Sequence, residues 1–305
     1  MQFPLSHSQR DTFYEQALHP DLPFYNIGAR VDIHGPLDRA LMAQAFRHVV
    51  DSHDSYRTVV VMGEDGEPLQ RVLPSAPLGM QWQDFQGDDN PSQAAEEFIS
   101  QDFKRNFGLF DHQPLYRFYL IRLAPLHHQL LAVYHHIICD GWSASLLFRR
   151  LGESYEALRQ RLPLPVYQYS YRTYAEENAT YLSSGQYALD VAYWRQLFQQ
   201  LPEPILTQSP ATEQDTGEFS SVRETLFLTQ EQYAAIEALA RAAGGSTFHG
   251  ILGLWYGFLA RKYQRQEVTV GLPLLNRSNQ VYRQTAGLFA SIMPLHVTVD
   301  KTHSL

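Results

Sequence analysis

The sequence predicts an α/β fold, and its length predicts about two domains. Segments with apolar residues at every third or fourth position alternate with short runs rich in valine, isoleucine, leucine and tyrosine, which is the pattern of helices between strands. Hydrophobic residues make up 44% of the 305 residues and charged residues 18%, a balance typical of globular proteins. A chain of this length can bury a sizeable core.

Composition excludes several classes of function. The net charge is −8, from 24 basic and 32 acidic residues, which argues against a nucleic-acid surface. No stretch approaches the roughly 20 apolar residues of a membrane helix, and the N-terminus has no apolar signal-peptide core. The single cysteine, Cys139, excludes an internal disulfide framework. These features predict a cytoplasmic protein that binds neither nucleic acid nor membranes.

The first half of the chain is predicted to alternate strands and helices, beginning with a helix capped by Ser6. The elements that follow are a strand at Ala29–Ile33, a helix that runs to His53, a hairpin of Thr58–Met62 and Leu69–Val72, a helix from Pro91 to Arg105, and strands at Tyr116–Leu123 and from Leu130. Pro125 turns one of the last two strands into the other, so we expect them to be antiparallel neighbours.

The second half is predicted to be mainly helical. Residues 202–220 are rich in proline, serine, threonine and acidic residues, and they indicate an exposed connection. The predicted elements are helices at Ala144–Gln160 and Gln186–Leu201, a strand at Val222–Leu228, helices at Gln230–Ala243 and Thr247–Gln264, and a strand at Glu267–Gly271. Thr229 and Gln232 form a capping box for the third of these helices. The fourth helix is apolar nearly all round, so we expect it to be buried.

Two adjacent histidines, His135 and His136, end the apolar strand that begins at Leu130 and precede a turn at Cys139-Asp140-Gly141. Successive strand residues point to opposite faces, so one imidazole faces a core and the other can face a cleft. With Asp140 folded back towards it, His136 would have the equipment of a general base. The alternatives are a packed structural pair or a metal site, although neighbours on opposite faces make poor joint ligands.

The segment HHIICDGWS (135–143) is similar to the HHxxxDG signature of the condensation domains of nonribosomal peptide synthetases, relatives of chloramphenicol acetyltransferase. Further segments resemble other motifs of that family. They are Leu5-Ser6 with Gln9, Tyr25-Asn26-Ile27, His53 with Arg57 and Thr58, Tyr171 with Tyr174 and Ala175, Tyr193-Trp194, Pro273 with Arg277, and Gly287 with Pro294-Leu295. The resemblance covers essentially the whole chain. Thr173 and Ser291 depart from it, since aspartate and asparagine are usual there.

The resemblance implies a fold of two chloramphenicol-acetyltransferase-like lobes arranged in a V, each a mixed sheet flanked by helices. We expect residues 1–175 to form the N-terminal lobe with the HHxxxDG motif. Residues 176–305 would form a partial C-terminal lobe, because the chain is shorter than a full member of the family. His136 would lie at the bottom of the gap between the lobes.

The resemblance also implies roles for the residues of the signature. His136 is expected to be catalytic, as a general base or as a group that positions the amine and stabilises the intermediate. His135 and Asp140 are expected to be structural, and Gly141 to permit the turn and the approach of substrate.

Further residues outside the histidine pair are implied as parts of the site. Arg57 and Arg277 are both candidate ion-pair partners for Asp140, and the sequence leaves the choice open. Trp142 and Ser143 are expected to line the floor of the substrate tunnel, and Ser291 to lie along it.

The implied function is formation of an amide bond. The amine of an aminoacyl thioester on a downstream acceptor carrier protein attacks a donor thioester on an upstream carrier protein, within a synthetase of neighbouring modules. Both substrates arrive on the phosphopantetheine arms of the carriers, and the domain itself needs no metal or other cofactor. The Pro294-Leu295 ending resembles synthetases that begin a chain with a non-amino-acyl group, as in some siderophore pathways.

Three other functions remain open. The chain is alternatively an acyltransferase of the same fold that uses soluble coenzyme A, or a non-catalytic platform that recruits carrier proteins. A third alternative is an enzyme that uses Cys139 as its nucleophile, although a cysteine in an apolar run is usually inert.

Overall fold

A computed structural model describes residues 2–75, 78–205 and 224–300. Its helices are α1 (His7–Leu18), α2 (Arg39–Asp51), α3 (Pro91–Phe103), α4 (Gly141–Arg159), α5 (Tyr171–Leu182), α6 (Gly185–Leu197), α7 (Gln230–Ala242), α8 (Thr247–Lys262) and α9 (Gln280–Gln284). Its strands are β1 (Gln2–Pro4), β2 (Asn26–His34), β3 (Thr58–Met62), β4 (Pro68–Val72), β5 (Gln81–Asp84), β6 (Tyr116–Ala124), β7 (His127–His135), β8 (Glu267–Leu274) and β9 (Ser291–Thr298).

Local signals define several helix starts, as predicted. Ser6 caps α1 by a capping box: its hydroxyl accepts from the Gln9 N–H at 3.3 Å, and its own N–H donates to Gln9 Oε1 at 3.0 Å. Thr229 and Gln232 form the second predicted capping box, at the start of α7. Each box satisfies two backbone N–H groups that a helix start leaves without partners.

The central sheet has the strand order β2-β7-β6-β5, with β7 antiparallel to β2 and β6, and β5 parallel to β6. The predicted antiparallel pairing of β6 and β7 is thus confirmed. A second sheet, β1-β4-β3, contains the predicted hairpin, and β8 pairs with β9 in a third.

The largest core lies on β6 and β7, whose residues are almost all buried. Helices α2 and α4 pack on each other beside this sheet and contribute Phe46, Val49, Leu147 and Leu151 to the same core. Strands covered on both faces carry continuous apolar runs rather than alternation. The apolar run that precedes the two histidines therefore belongs to the most buried strand of the described chain.

Packing divides the chain into two compact units. One comprises Met1–Asp190 and Leu274–Ser291, and the other comprises Val191–Pro273 and Ile292–Leu305. Every site residue named from the sequence belongs to the first unit. The lobe boundary after residue 175 stays a prediction.

Two element predictions for the second half are wrong. Residues 224–229 form no strand, although a strand was predicted at Val222–Leu228. The first two residues of that strand lie outside the described residues, as does most of the predicted connection at 202–220. Helix α8 is not buried all round: Phe248, Ile251, Trp255 and Phe258 are each about half exposed. A neighbouring side of the helix, with Tyr256, Leu259 and Ala260, packs on the β8–β9 region, where the described chain provides apolar neighbours.

Within the described ranges, no helix has both the length and the apolarity needed to cross a membrane.

Candidate active site

The site is built on the turn that joins β7 to α4. Strand β7 ends at His135, and residues His136–Ile138 form a short 3₁₀ turn before α4 begins at Gly141. The prediction that both histidines lie on the strand is therefore wrong by one residue. Their surroundings nevertheless differ as predicted, since His135 is fully buried and His136 is half-buried.

His136 lines a cavity of about 450 Å³ between β2 and α4. The other lining residues are small or apolar apart from Arg30, and they are Ile27, Gly28, Ala29, Val31, Tyr134, Gly141, Ala144, Ser145 and Phe148. The backbone N–H of His136 donates to the Tyr25 carbonyl at 2.7 Å. Its ring Nδ1 is buried and has no hydrogen-bond partner among the described residues. The half-buried imidazole therefore borders the cavity with another part of its ring.

His135 is a structural residue. The Ile137 N–H donates to its Nδ1 at 3.2 Å, so the ring proton lies on Nε2, which donates to Gln16 Oε1 at 3.2 Å. Burial, with a smaller contribution from neighbouring His136, lowers the pKa of His135 to about 3. The ring therefore stays neutral and holds the turn that carries His136.

Asp140 caps α4 and forms a buried ion pair with Arg277. Its Oδ1 accepts from the Ser143 N–H at 2.9 Å, and Arg277 Nη2 lies 2.9 and 3.0 Å from its two carboxylate oxygens. The Phe289 N–H donates to Oδ2 at 3.2 Å. The idea that Asp140 folds back towards His136 is wrong, because these groups occupy both oxygens.

Of the two candidate arginines, Arg277 is the one that contacts Asp140. The Arg57 guanidinium donates instead to the Leu73 carbonyl, and the Leu73 N–H donates to the Arg57 carbonyl at 2.8 Å. Arg57 therefore supports the start of β3 rather than the signature turn. The prediction that Arg57 supports the site is wrong.

The predicted tunnel residues do not share one surface. Ser143 is fully buried, and its hydroxyl bonds to Asp140, Arg277 and the backbone of Gly287. Its place in a tunnel is thus wrong, because Gly141, Ala144 and Ser145 present another side of α4 to the cavity and Ser143 points away.

Trp142 and Ser291 lie away from the His136 cavity. Trp142 is 39% exposed, donates from Nε1 to the Arg283 carbonyl at 2.9 Å, and lines a different cavity of about 950 Å³ with Tyr174 and Tyr181. Ser291 begins β9, where its hydroxyl accepts from Asn276 Nδ2 at 2.6 Å. Trp142 thus lines a cavity different from the one that His136 lines, and neither Ser143 nor Ser291 lines the His136 cavity.

Gly141 also lines the His136 cavity, as the first residue of α4. Its φ is not positive, so the turn itself does not require glycine. A Cβ at this position would meet no atom within 4 Å. Gly141 leaves space open in the cavity beside His136. The prediction that the turn requires glycine at this position is wrong.

Cys139 is fully buried, and burial raises the pKa of its thiol far above the usual range. A thiol in this state is a poor nucleophile, which disfavours the cysteine-dependent alternative.

Comparison with protein families identifies the chain. The family model of the condensation domain matches residues 1–305. The chain belongs to the condensation domain family. The resemblance inferred from the HHxxxDG segment is thereby confirmed.

Curated relatives of this condensation domain are much longer proteins. It is 26% identical over 305 residues to a dimodular nonribosomal peptide synthase of Bacillus subtilis, covering 100% of this chain and 13% of the relative. It is 29% identical over 305 residues to isonitrile lipopeptide synthase of Streptomyces coeruleorubidus, covering 99% of this chain and 20% of the relative.

Solved structures share the fold of the condensation domain. The first condensation domain of the calcium-dependent antibiotic synthetase, in complex with a substrate analogue, superimposes with a TM-score of 0.85 at 25% identity, over 100% of this chain and 71% of that chain. The starter condensation domain of rhizomide synthetase RzmA gives a TM-score of 0.75 at 26% identity, over 98% of this chain and 68% of that chain. The predicted α/β acetyltransferase-like fold is confirmed.

Sequence reasoning missed several groups that hold the site of this condensation domain. Gln16, the Tyr25 carbonyl and the Phe289 N–H all bind the signature segment. Gln9, which the sequence indicated only as a motif residue, donates to the Ile137 carbonyl. The available signal was the spacing of the two glutamines, which are seven residues apart on one face of α1.

Proposed function

We propose that His136 acts directly in amide-bond formation between two carrier-bound thioesters. The observation that carries the proposal is its position in a condensation domain: a half-buried imidazole on a tightly held turn that lines a cavity. An imidazole can act as a general base and then as a general acid, because it can accept a proton and return it.

The reaction transfers an acyl group from sulfur to nitrogen. The acceptor amine attacks the donor thioester carbonyl and forms the C–N bond, giving a tetrahedral intermediate with a charged nitrogen. His136 takes the proton from that nitrogen, the C–S bond breaks, and the departing thiolate of the donor arm receives the proton. A thioester is already activated, so holding amine and carbonyl together in the cavity supplies a large share of the rate.

The substrates of this proposal are an upstream donor carrier protein and a downstream acceptor carrier protein, each bearing its thioester on a phosphopantetheine arm. Two observations support it. The curated relatives are synthases of which this chain spans a small part, so neighbouring modules are available there to supply carriers. The cavity volume of about 450 Å³ suits the reacting end of a long flexible arm rather than a whole carrier.

The proposal is tested by intact-protein mass spectrometry of the two carriers after incubation with this protein or with His136→Ala. We expect product mass on the acceptor carrier with the unmodified protein and a loss of at least about 100-fold with the variant, the range of a general acid–base group. His7→Ala is the matched control, because His7 is an exposed histidine that does not line the His136 cavity. Equal rates for His136→Ala and the unmodified protein would leave proximity alone as the source of catalysis and contradict a direct role for His136.

A second candidate function uses an acyl-coenzyme A as the donor. The observation that favours it is that a mutant of the rhizomide synthetase starter condensation domain, similar to this chain with a TM-score of 0.82, was solved in complex with C8-CoA. The apolar side chains in the lining of the His136 cavity, which include Ile27, Val31 and Phe148, are compatible with contact to an alkyl chain. In this setting the domain would begin a peptide chain with a non-amino-acyl group, as in some siderophore pathways.

A further inference from the structure

Two buried glutamines of α1, Gln9 and Gln16, lie against the turn that carries His136. They are 1% and 2% exposed, and their seven-residue spacing places them on the same face, two helical turns apart. Buried amides that touch a functional turn are costly unless every polar atom is satisfied. Their partners therefore indicate why they are there.

Gln16 determines which nitrogen of His135 carries the proton. Its Nε2 donates to the carbonyls of His19 at 2.7 Å and Leu22 at 2.9 Å, so its Oε1 is the atom that faces His135 Nε2. An amide oxygen can only accept, which requires a proton on His135 Nε2. Nδ1 of His135 is then free to accept from the Ile137 N–H.

Gln9 holds the carbonyl of the same residue. Its Oε1 accepts from the Ser6 N–H at 3.0 Å and from Gln70 Nε2 at 2.9 Å, and its Nε2 donates to the Ile137 carbonyl at 2.9 Å. Both polar groups of the Ile137 backbone are thus bound by side chains, one through His135 and one through Gln9.

We propose that Gln9 and Gln16 are positioning residues that set the orientation of the His136 imidazole through the Ile137 backbone. Neither glutamine lines the His136 cavity, so neither touches substrate there. The inference rests on the proposed function of His136. Its physical basis is that a side chain on a three-residue turn is aimed by the backbone groups on either side of it, and a displacement of about 1 Å can cost about 100-fold in rate.

The kinetic test compares Gln9→Met and Gln16→Met with Gln129→Met in the carrier assay. Gln129 is also a buried glutamine, but its Nε2 donates to Asp32 Oδ1 at 3.0 Å rather than to the turn or to either glutamine of α1. We expect kcat to fall about 10- to 100-fold in the first two variants with KM nearly unchanged. Gln129→Met should change kcat less than about 2-fold. Equal kcat values in all three variants, corrected for the folded fraction, would overturn the proposal.

The spectroscopic test needs no turnover, so it separates failure of this inference from failure of the proposed function. Histidines labelled with ¹⁵N report the tautomer of each ring, with signals assigned by His135→Asn and His136→Asn. We expect His135 to be protonated on Nε2 in the unmodified protein, and both His135 and His136 signals to shift in Gln16→Met. Protonation of His135 on Nδ1, or unchanged signals in a folded Gln16→Met, would overturn it.

Gln16→Glu keeps the inference testable if Gln16→Met does not fold. Its carboxylate can still accept from His135 Nε2, and a charge at this position favours the protonated ring. The other titratable groups beside His135 are His136 and Tyr25. We expect the ¹⁵N titration of His135 to move to higher pH than in the unmodified protein. A titration that does not move would show that residue 16 does not face His135.

Discussion

Asp140 concentrates most of the polar interactions of the site in one carboxylate. It caps α4 through Ser143, pairs with Arg277 and accepts from the Phe289 N–H, and both charged side chains are nearly inaccessible to water. A buried ion pair adds little stability compared with apolar side chains packed in its place. The removal of one partner is nevertheless costly, because it leaves an uncompensated charge in the interior.

We therefore expect Arg277→Met to lower the free energy of unfolding by about 3–5 kcal/mol. The Asp140 carboxylate loses its counter-charge in an environment with little water. Urea denaturation followed by circular dichroism measures the change. Arg57→Met is the matched control and should cost about 1 kcal/mol or less beyond its lost packing. Equal losses in the two variants would contradict the assignment of Arg277 as the partner that matters.

Two buried histidines link stability to pH. The pKa of His135 is lowered to about 3 and that of His53 to about 4, in both cases mainly by burial, with nearby Arg150 as the second cause for His53. Unfolded histidine titrates near pH 6.5. Below that value the unfolded chain binds protons that the folded chain excludes, so acid favours unfolding.

The free energy of unfolding should accordingly fall as the pH is lowered from about 6.5 towards 4, by on the order of 1 kcal/mol per pH unit for each histidine. Above pH 7 neither ring contributes a pH dependence. Urea midpoints between pH 8 and pH 4.5 measure the slope, and His53→Gln should make it shallower than in the unmodified protein. A slope that is unchanged in His53→Gln would show that His53 is not excluded from protonation in the folded state.

At the scale of elements, the segment that carries Gly287 packs directly on α5. A Cβ on Gly287 would lie 2.0 Å from Cδ2 of Tyr171, whose side chain is fully buried. The segment cannot move back without cost, because both backbone polar groups of Gly287 bind the Ser143 hydroxyl. Glycine is needed here for the close approach of two elements.

Gly287→Ala is expected to lower the free energy of unfolding by about 1–3 kcal/mol, the range for overpacked sites. Gly152→Ala is the matched control: Gly152 is exposed within α4, and a Cβ there would meet no atom within 4 Å. That variant should be more stable by about 0.5–1 kcal/mol, because alanine favours the helix. Thermal and urea unfolding of both variants measure the difference, and a stable Gly287→Ala would contradict the packing of this segment on Tyr171.

At the scale of the whole molecule, the site is assembled from distant parts of the chain. The compact unit that contains it combines Met1–Asp190 with Leu274–Ser291. Arg277 therefore reaches Asp140 across a sequence separation of 137 residues. The residues that line the His136 cavity all belong to this unit, and its volume of about 450 Å³ is small compared with a carrier protein.

The small volume of the cavity predicts that a donor on a carrier protein and a donor on coenzyme A differ in kcat/KM. If a carrier delivers the thioester, contacts outside the cavity add binding energy that a soluble thioester lacks. We expect kcat/KM for an acyl group on the donor carrier to exceed that for the same acyl group on coenzyme A by at least about 10-fold, or about 1.4 kcal/mol. Steady-state assays with one acyl chain on both donors measure the ratio. Equal values would support the coenzyme A alternative, and His136→Ala controls for uncatalysed transfer.

Much of the fold was predictable because its signals are local. Ser6 with Gln9, and Thr229 with Gln232, form capping boxes between residues three apart, and the hairpin of β3 and β4 closes over a short loop. The exposed face of α8 was not predictable in this way. Its apolar residues indicate burial, but exposure depends on which sides of the helix the rest of the chain covers.

By itself, the sequence determined the family, the caps and hairpin, and the placement of two unlike histidines beside a turn, because short segments carry these features in their own residue types and spacing. Only the tertiary structure decided that Arg277 rather than Arg57 binds Asp140, that Ser143 faces away from the cavity, and that two glutamines of α1 hold the turn. Those outcomes depend on side chains that are far apart in the chain and meet only after packing, and each group then takes the partners that satisfy its charge or hydrogen bonds away from water.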